Sequence, residues 1–106
     1  MIGRLRHRVT IQRFDRVDDG GGGTEEQWID VATVWAAVEP IRGRERLEAM
    51  QLEQSVSHRV VIRYRPDVDG RNMRIVHRGR ALHVQAVVSP DERNRWLELL
   101  CEERPA

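Results

Sequence analysis

The chain has 106 residues, 40% of them hydrophobic and 33% charged, with eighteen basic residues against seventeen acidic ones. That is enough for one domain with one small core, too apolar for a disordered chain, and too neutral for bulk attraction to nucleic acid or an anionic membrane. No run of about twenty apolar residues is present to span a bilayer, and the charged opening, residues 1–6, leads into no apolar run of the kind a secretory signal carries.

The periodicity is mostly two. Residues 7–14 alternate, with Val9 and Ile11 on one face and Arg8, Thr10 and Gln12 on the other, which predicts a strand. Asp18, Asp19, Gly20, Gly21, Gly22 and Gly23 follow, and a run of four glycines predicts a flexible loop tip between two antiparallel strands. The second strand is expected over about 26–38 with an irregularity near Asp30. It places Val34, Ala36 and Val38 opposite Thr33, Trp35 and Ala37, and Pro40 ends it. Between Gly43 and Gln54 the period changes. Leu47, Met50 and Gln51 share one side of a segment rich in helix formers, which predicts one short helix of about three turns.

Alternation returns over 56–64, and Pro66, Asp67 and Gly70 then mark a turn. A short strand is expected over 73–77, a tight reversal at 78–80, and a strand over 81–88 with Leu82, Val84, Ala86 and Val88 on one side. A loop at 89–94 leads to a final strand over 95–101, followed by a polar tail. The order predicts a mainly β domain: a small antiparallel β-barrel or sandwich with one inserted short α-helix.

No catalytic constellation emerges. His7, His58, His77 and His83 show no helical pairing and no H-x-H pattern, so a metal site would have to be assembled by the fold. Asp67–Gly70 has the start of a calcium loop without its later carboxylates. Cys101, the one cysteine, sits in an apolar strand, excludes an internal disulfide, and suits a reducing compartment. No serine lies in a nucleophile elbow, and the glycine run lacks the Lys-Ser/Thr of a phosphate cradle. Neither a catalytic residue nor a cofactor is expected. All eighteen basic residues are arginine. That fits a GC-rich genome, and also contacts that need planar, bidentate pairing. Arg42, Arg44, Glu45, Arg46 and Glu48 cluster at the start of the expected helix, with Arg44 and Glu48 spaced as i, i+4 neighbours. They form either a solvated helix face or an element alternating charge between copies. Arg63-Tyr64-Arg65 and Arg95-Trp96 interleave arginine with aromatics as a single-stranded nucleic-acid platform would, but the neutral charge balance argues against that and favours core or subunit-interface packing for the aromatics.

Several segments in order resemble the tailed-phage head–tail joining proteins, also called head-completion, stopper or adaptor proteins. They are Gly3–Gln12, the Asp/Gly loop leading to Trp28, Val34-Trp35-Ala36-Ala37-Val38-Glu39-Pro40, Gly43-Arg44-Glu45 with Ala49, Ser57–Tyr64, Gly79–Val88 and Leu97–Cys101. The resemblance implies a β-barrel that is not an enzyme. It implies a homo-oligomeric ring, hexameric or dodecameric, in the virion of a phage, prophage or gene transfer agent. Its partners would be the portal or adaptor protein, the tail terminator or tail-tube protein, and DNA passing through the channel. The segment 41–55 would face that channel, with Arg42, Arg44, Glu45, Arg46 and Glu48 near the DNA, and Asp18 to Gly23 would form a partner-contacting loop. The alternatives are a small nucleic-acid-binding β-barrel, which predicts salt-dependent binding as a monomer, and a small enzyme or metal protein.

Overall fold

A computed structural model describes residues 5–43, 55–88 and 95–105. Six strands run His7–Asp18 (β1), Thr24–Pro40 (β2), His58–Arg63 (β3), Met73–His77 (β4), Arg80–Val88 (β5) and Trp96–Arg104 (β6). Every pairing is antiparallel. The order β1-β2-β3-β6-β5-β4 returns to β1, so the sheet closes into a barrel rather than a sandwich. Closure removes the open edges that an antiparallel sheet of this size would otherwise expose.

Residues 44–54 of the expected helix, with Arg44, Glu45, Arg46 and Glu48, lie outside the described residues, as does the 89–94 loop. The polar tail is a correction, because β6 continues through Arg104. Its end pairs with the start of β5, where Ala81 faces Arg104 and His83 faces Glu102. Ladder hydrogen bonds hold a polar stretch in strand form that its own composition does not demand.

The inner face carries the alternation. Val9, Ile11, Ala36, Val60, Ile62, Ile75, Leu82, Val84, Leu97, Leu99 and Cys101 form the buried cluster, with Val34 and Val38 partly buried against it. Two bulges break the period. Ile11 pairs with Ala32 and Gln12 with Asp30, leaving Val31 as the extra residue that accounts for the irregularity expected near Asp30. On β5, Val84 pairs with Cys101 and Ala86 with Leu100, so Gln85 is extra. This overturns the expected inward face of Val88. After the bulge Val87 packs against the core and Val88 is exposed.

The ends of the barrel are closed differently. At one end the loop after β3 folds Val68 into the core, held by Val68 N–H on Arg65 O at 3.2 Å and by Arg13 on Asp67 O at 2.8 Å. At the other, Ile41 and Val56 are buried and Ile41 N–H bonds Ser57 O at 2.9 Å. The β4–β5 reversal has both central residues left-handed, Arg78 (φ 51°) and Gly79 (φ 75°), the geometry of a two-residue hairpin.

Candidate interaction surfaces

The β1–β2 hairpin outruns the barrel. β4 pairs with β1 only as far as Arg13, and Phe14 N–H then bonds Asn72 O at 2.8 Å. Beyond that point residues 14–18 pair with 24–28 alone, as a two-stranded arm, and the molecule is 49 Å long against 28 and 27 Å across. A free ribbon is marginal in water. Here it is stapled by Phe14 on Trp28 (ring centroids 5.1 Å apart) and by the Arg16–Glu26 ion pair at 3.6 Å.

At the tip, Asp18 Oδ1 accepts from Gly20 N–H at 2.9 Å. Asp19 Oδ1 accepts from Gly21 N–H at 2.8 Å and Gly23 N–H at 3.1 Å, while Asp19 N–H bonds Gly23 O at 3.2 Å. Gly20 and Gly22 are left-handed. The sequence-predicted loop residues Asp18, Asp19, Gly20, Gly21, Gly22 and Gly23 are thus brought together as one aspartate-capped turn.

The base of the channel-loop candidate is at the opposite end of the barrel. Arg42 is exposed there and lines an open cavity of about 700 Å³ with Ser57, His58, Arg80, Glu103 and Arg104. Arg80 and Glu103 form a two-point pair at 2.7 and 2.6 Å, which holds the Glu103 carboxyl below its usual range. Ser57 Oγ accepts from Glu103 N–H at 2.8 Å and lies 2.9 Å from His58 Nδ1, and Arg80 Nη2 lies 3.3 Å from His58 Nε2. These residues brace one another, and among the described residues no group of three His, Cys, Asp or Glu is placed to hold a metal. Cys101 is fully buried, and burial pushes its thiol up to about 12, so it is inert.

Register also assembles two outward-facing rows from strands far apart in the chain. In the first, Asp30, Gln12, Arg74, His83 and Glu102 are consecutive cross-strand partners over β2-β1-β4-β5-β6. Gln12 donates to Asp30 at 2.8 Å and accepts from Arg74 at 2.7 Å. Trp28 covers this row, 4.2 Å from the Arg74 guanidinium and 5.5 Å from the His83 ring, and so fastens the arm over the β4–β5 side. Burial lowers the Arg74 and His83 values below their ordinary ones, with Arg104 and Arg74 adding to the effect at His83.

The second row is Arg8, Trp35, Arg63 and Trp96 over β1-β2-β3-β6. Arg8 is opposite Trp35 and Arg63 opposite Trp96. Trp35 and Arg63 sit one position beyond the Ala36–Ile62 pair. Arg8 lies 5.0 Å from the Trp35 ring and Arg63 5.4 Å from the Trp96 ring. Trp35 is 52% exposed and the neighbouring Tyr64 39%. The sequence reading singled out Arg63, Tyr64 and Trp96 but missed Arg8 and Trp35. Their signal was weak: one arginine and one tryptophan on the outward phase of two separate strands.

These features define a small structural module, a closed barrel with a projecting arm and two side-chain rows on its outer face. The chain belongs to the phage head completion protein family, which matches residues 1–104. That family is a structural one of phage particles and not an enzyme family. The chain is 31% identical over 72 residues to "Head completion protein gp16" of Bacillus phage SPP1; the match spans 68% of this chain and 65% of that relative's length. Its fold is similar to protein SF1141 from Shigella flexneri 2a, solved in solution (TM-score 0.79, 34% identity, covering 96% of this chain and 95% of that one). It is also similar in fold to a chain of the virion of a native gene transfer agent particle (TM-score 0.61, 23% identity, covering 98% and 99%).

Proposed function

We propose that this chain forms a homo-oligomeric ring, hexameric or dodecameric, at the head–tail connector, between a portal or adaptor ring and the tail terminator or tail-tube protein. The family match over residues 1–104 carries the reading. The two-ended layout supports it: the arm leaves one end of the barrel, and the 41–55 segment leaves and re-enters at the other, clamped by Ile41 and Ser57. A connector needs contacts in both axial directions, and the arm at one end and the two ends of the 41–55 segment at the other are disposed along that axis.

Within that ring the 41–55 segment faces the channel and helps retain packaged DNA. Arg42, Arg44 and Arg46 draw the phosphate backbone close, while Glu45 and Glu48 keep the contact weak enough for later release. Replacing residues 42–54 with a glycine-rich link in a producing strain tests this. The expected product is folded and joins the head, but its particles leak DNA. Particles with retained DNA and normal delivery would refute the channel role.

A further inference from the structure

The Arg8–Trp35–Arg63–Trp96 row is an unusual thing to leave in water. Arginine and tryptophan are the residues most enriched where protein interfaces concentrate their binding energy. Here they alternate across four strands beside an open groove of about 340 Å³ lined by Leu5, Arg8, Thr33, Trp35, Arg63 and Tyr64. Among the described residues neither Arg8 nor Arg63 has a carboxylate partner; each is held over an indole ring. A planar cation pre-positioned on an aromatic face is set to receive a carboxylate in two-point geometry.

The complementary charge is on the arm. From Asp15 to Glu26 there are five carboxylates, Asp15, Asp18, Asp19, Glu25 and Glu26, against the single Arg16. Arg16 serves Glu26, and Asp18 and Asp19 bond only backbone N–H groups of the turn. The near-zero net charge of the chain therefore conceals an acidic arm and a basic aromatic row. They are on different sides: Trp28 fastens the arm over β4–β5, while the row crosses β1-β2-β3-β6. A patch and its complement on different sides of one molecule make a head-to-tail contact, which closes into a ring when the rotation permits.

We propose that the acidic arm of one subunit seats on the Arg8–Trp35–Arg63–Trp96 row of the next copy of this chain. The inference rests on the ring reading above and names the contact that builds the ring. A nucleic acid would also supply anions, but it would leave the acidic arm without a partner, whereas a second copy satisfies both surfaces at once.

The test is a charge exchange on the full chain. One variant reverses the row (Arg8→Glu with Arg63→Glu); the other reverses the arm (Asp15→Arg, Glu25→Arg and Glu26→Arg), leaving only the turn-forming Asp18 and Asp19 against four arginines. Sedimentation velocity measures self-association, and circular dichroism confirms folding. Each variant alone is expected to lose about tenfold or more in self-association, and an equimolar mixture to regain it, because each arm then meets a row of opposite sign. A second measurement leaves the charges untouched: Gly21→Cys with Thr33→Cys under oxidising conditions, in solution and in purified particles. Within one chain these positions are about 30 Å apart along β2, beyond disulfide reach, so every cross-link joins two copies. Intermolecular ladders are expected.

Multimers that survive both reversals, a loss not rescued by mixing, or multimers without cross-links would overturn the arm-on-row contact and leave the ring standing. A wild type that does not self-associate, together with a double-cysteine variant that forms no cross-link in particles, would overturn the ring itself. Salt-sensitive binding of a single-stranded oligonucleotide, abolished by row reversal while self-association is unchanged, would assign the row to nucleic acid instead.

Discussion

Ile62→Ala is the sharpest probe of the barrel register, because its neighbour Arg63 points the other way. Ile62 is 0% exposed on the inner face, paired with Ala36 on one side and Leu97 on the other. Truncation removes three carbons, about 2.4 kcal/mol in transfer free energy at about 0.8 kcal/mol each. A cavity contribution adds to this. β3 is hydrogen-bonded along both edges of a closed sheet, so the walls move in only partly, and the total should be about 3–4 kcal/mol, inside the range measured for such truncations. Arg63→Ala removes an exposed cation from the Trp96 face and should cost about 0.5–1 kcal/mol. Urea unfolding followed by tryptophan fluorescence, on monomeric protein, compares the two midpoints at constant slope. Equal costs, or a larger cost at Arg63, would refute the assigned faces of β3 and with them the register that builds the outer Arg/Trp row.

Three further outcomes are expected. Gly70→Ala should destabilise by about 2–4 kcal/mol, since Gly70 is left-handed (φ 80°) and a Cβ there would lie 2.6 Å from Val87 Cγ2; Gly79→Ala, left-handed but facing open space, should cost about 1 kcal/mol, and thermal melts compare them. His77 is buried against His7, and burial, with His7, Arg78, Arg80 and His58 around it, lowers its pKa below the ordinary 6.5. The unfolded chain therefore takes up a proton there first, so stability should be full above the ordinary histidine value and fall as pH drops through it; unfolding midpoints across that window, with and without His77→Phe, test the sign. Cys101 should resist thiol reagents in the folded protein at neutral pH and react fully in denaturant, as a timed thiol assay would show.

Much of this molecule is local and so legible in the sequence. The side-chain period of two sorts Val9, Ile11, Ala36, Val60, Ile62, Leu82 and Leu99 onto one face without reference to any partner strand. Glycine and aspartate mark the arm tip through torsional preferences that belong to single residues. The family resemblance rests on the order of these segments, which folding does not alter. What tertiary structure decided is everything set between strands. The bulges at Val31 and Gln85 exist because two paired strands differ in length between fixed points, and the second sends Val88 outward where simple alternation sends it in. β6 runs on to Arg104 because the start of β5 is there to pair with it. The Arg8–Trp35–Arg63–Trp96 row draws its members from positions spread over most of the chain. No window of sequence contains it, because register across four strands, and not propensity along one, brings those side chains side by side.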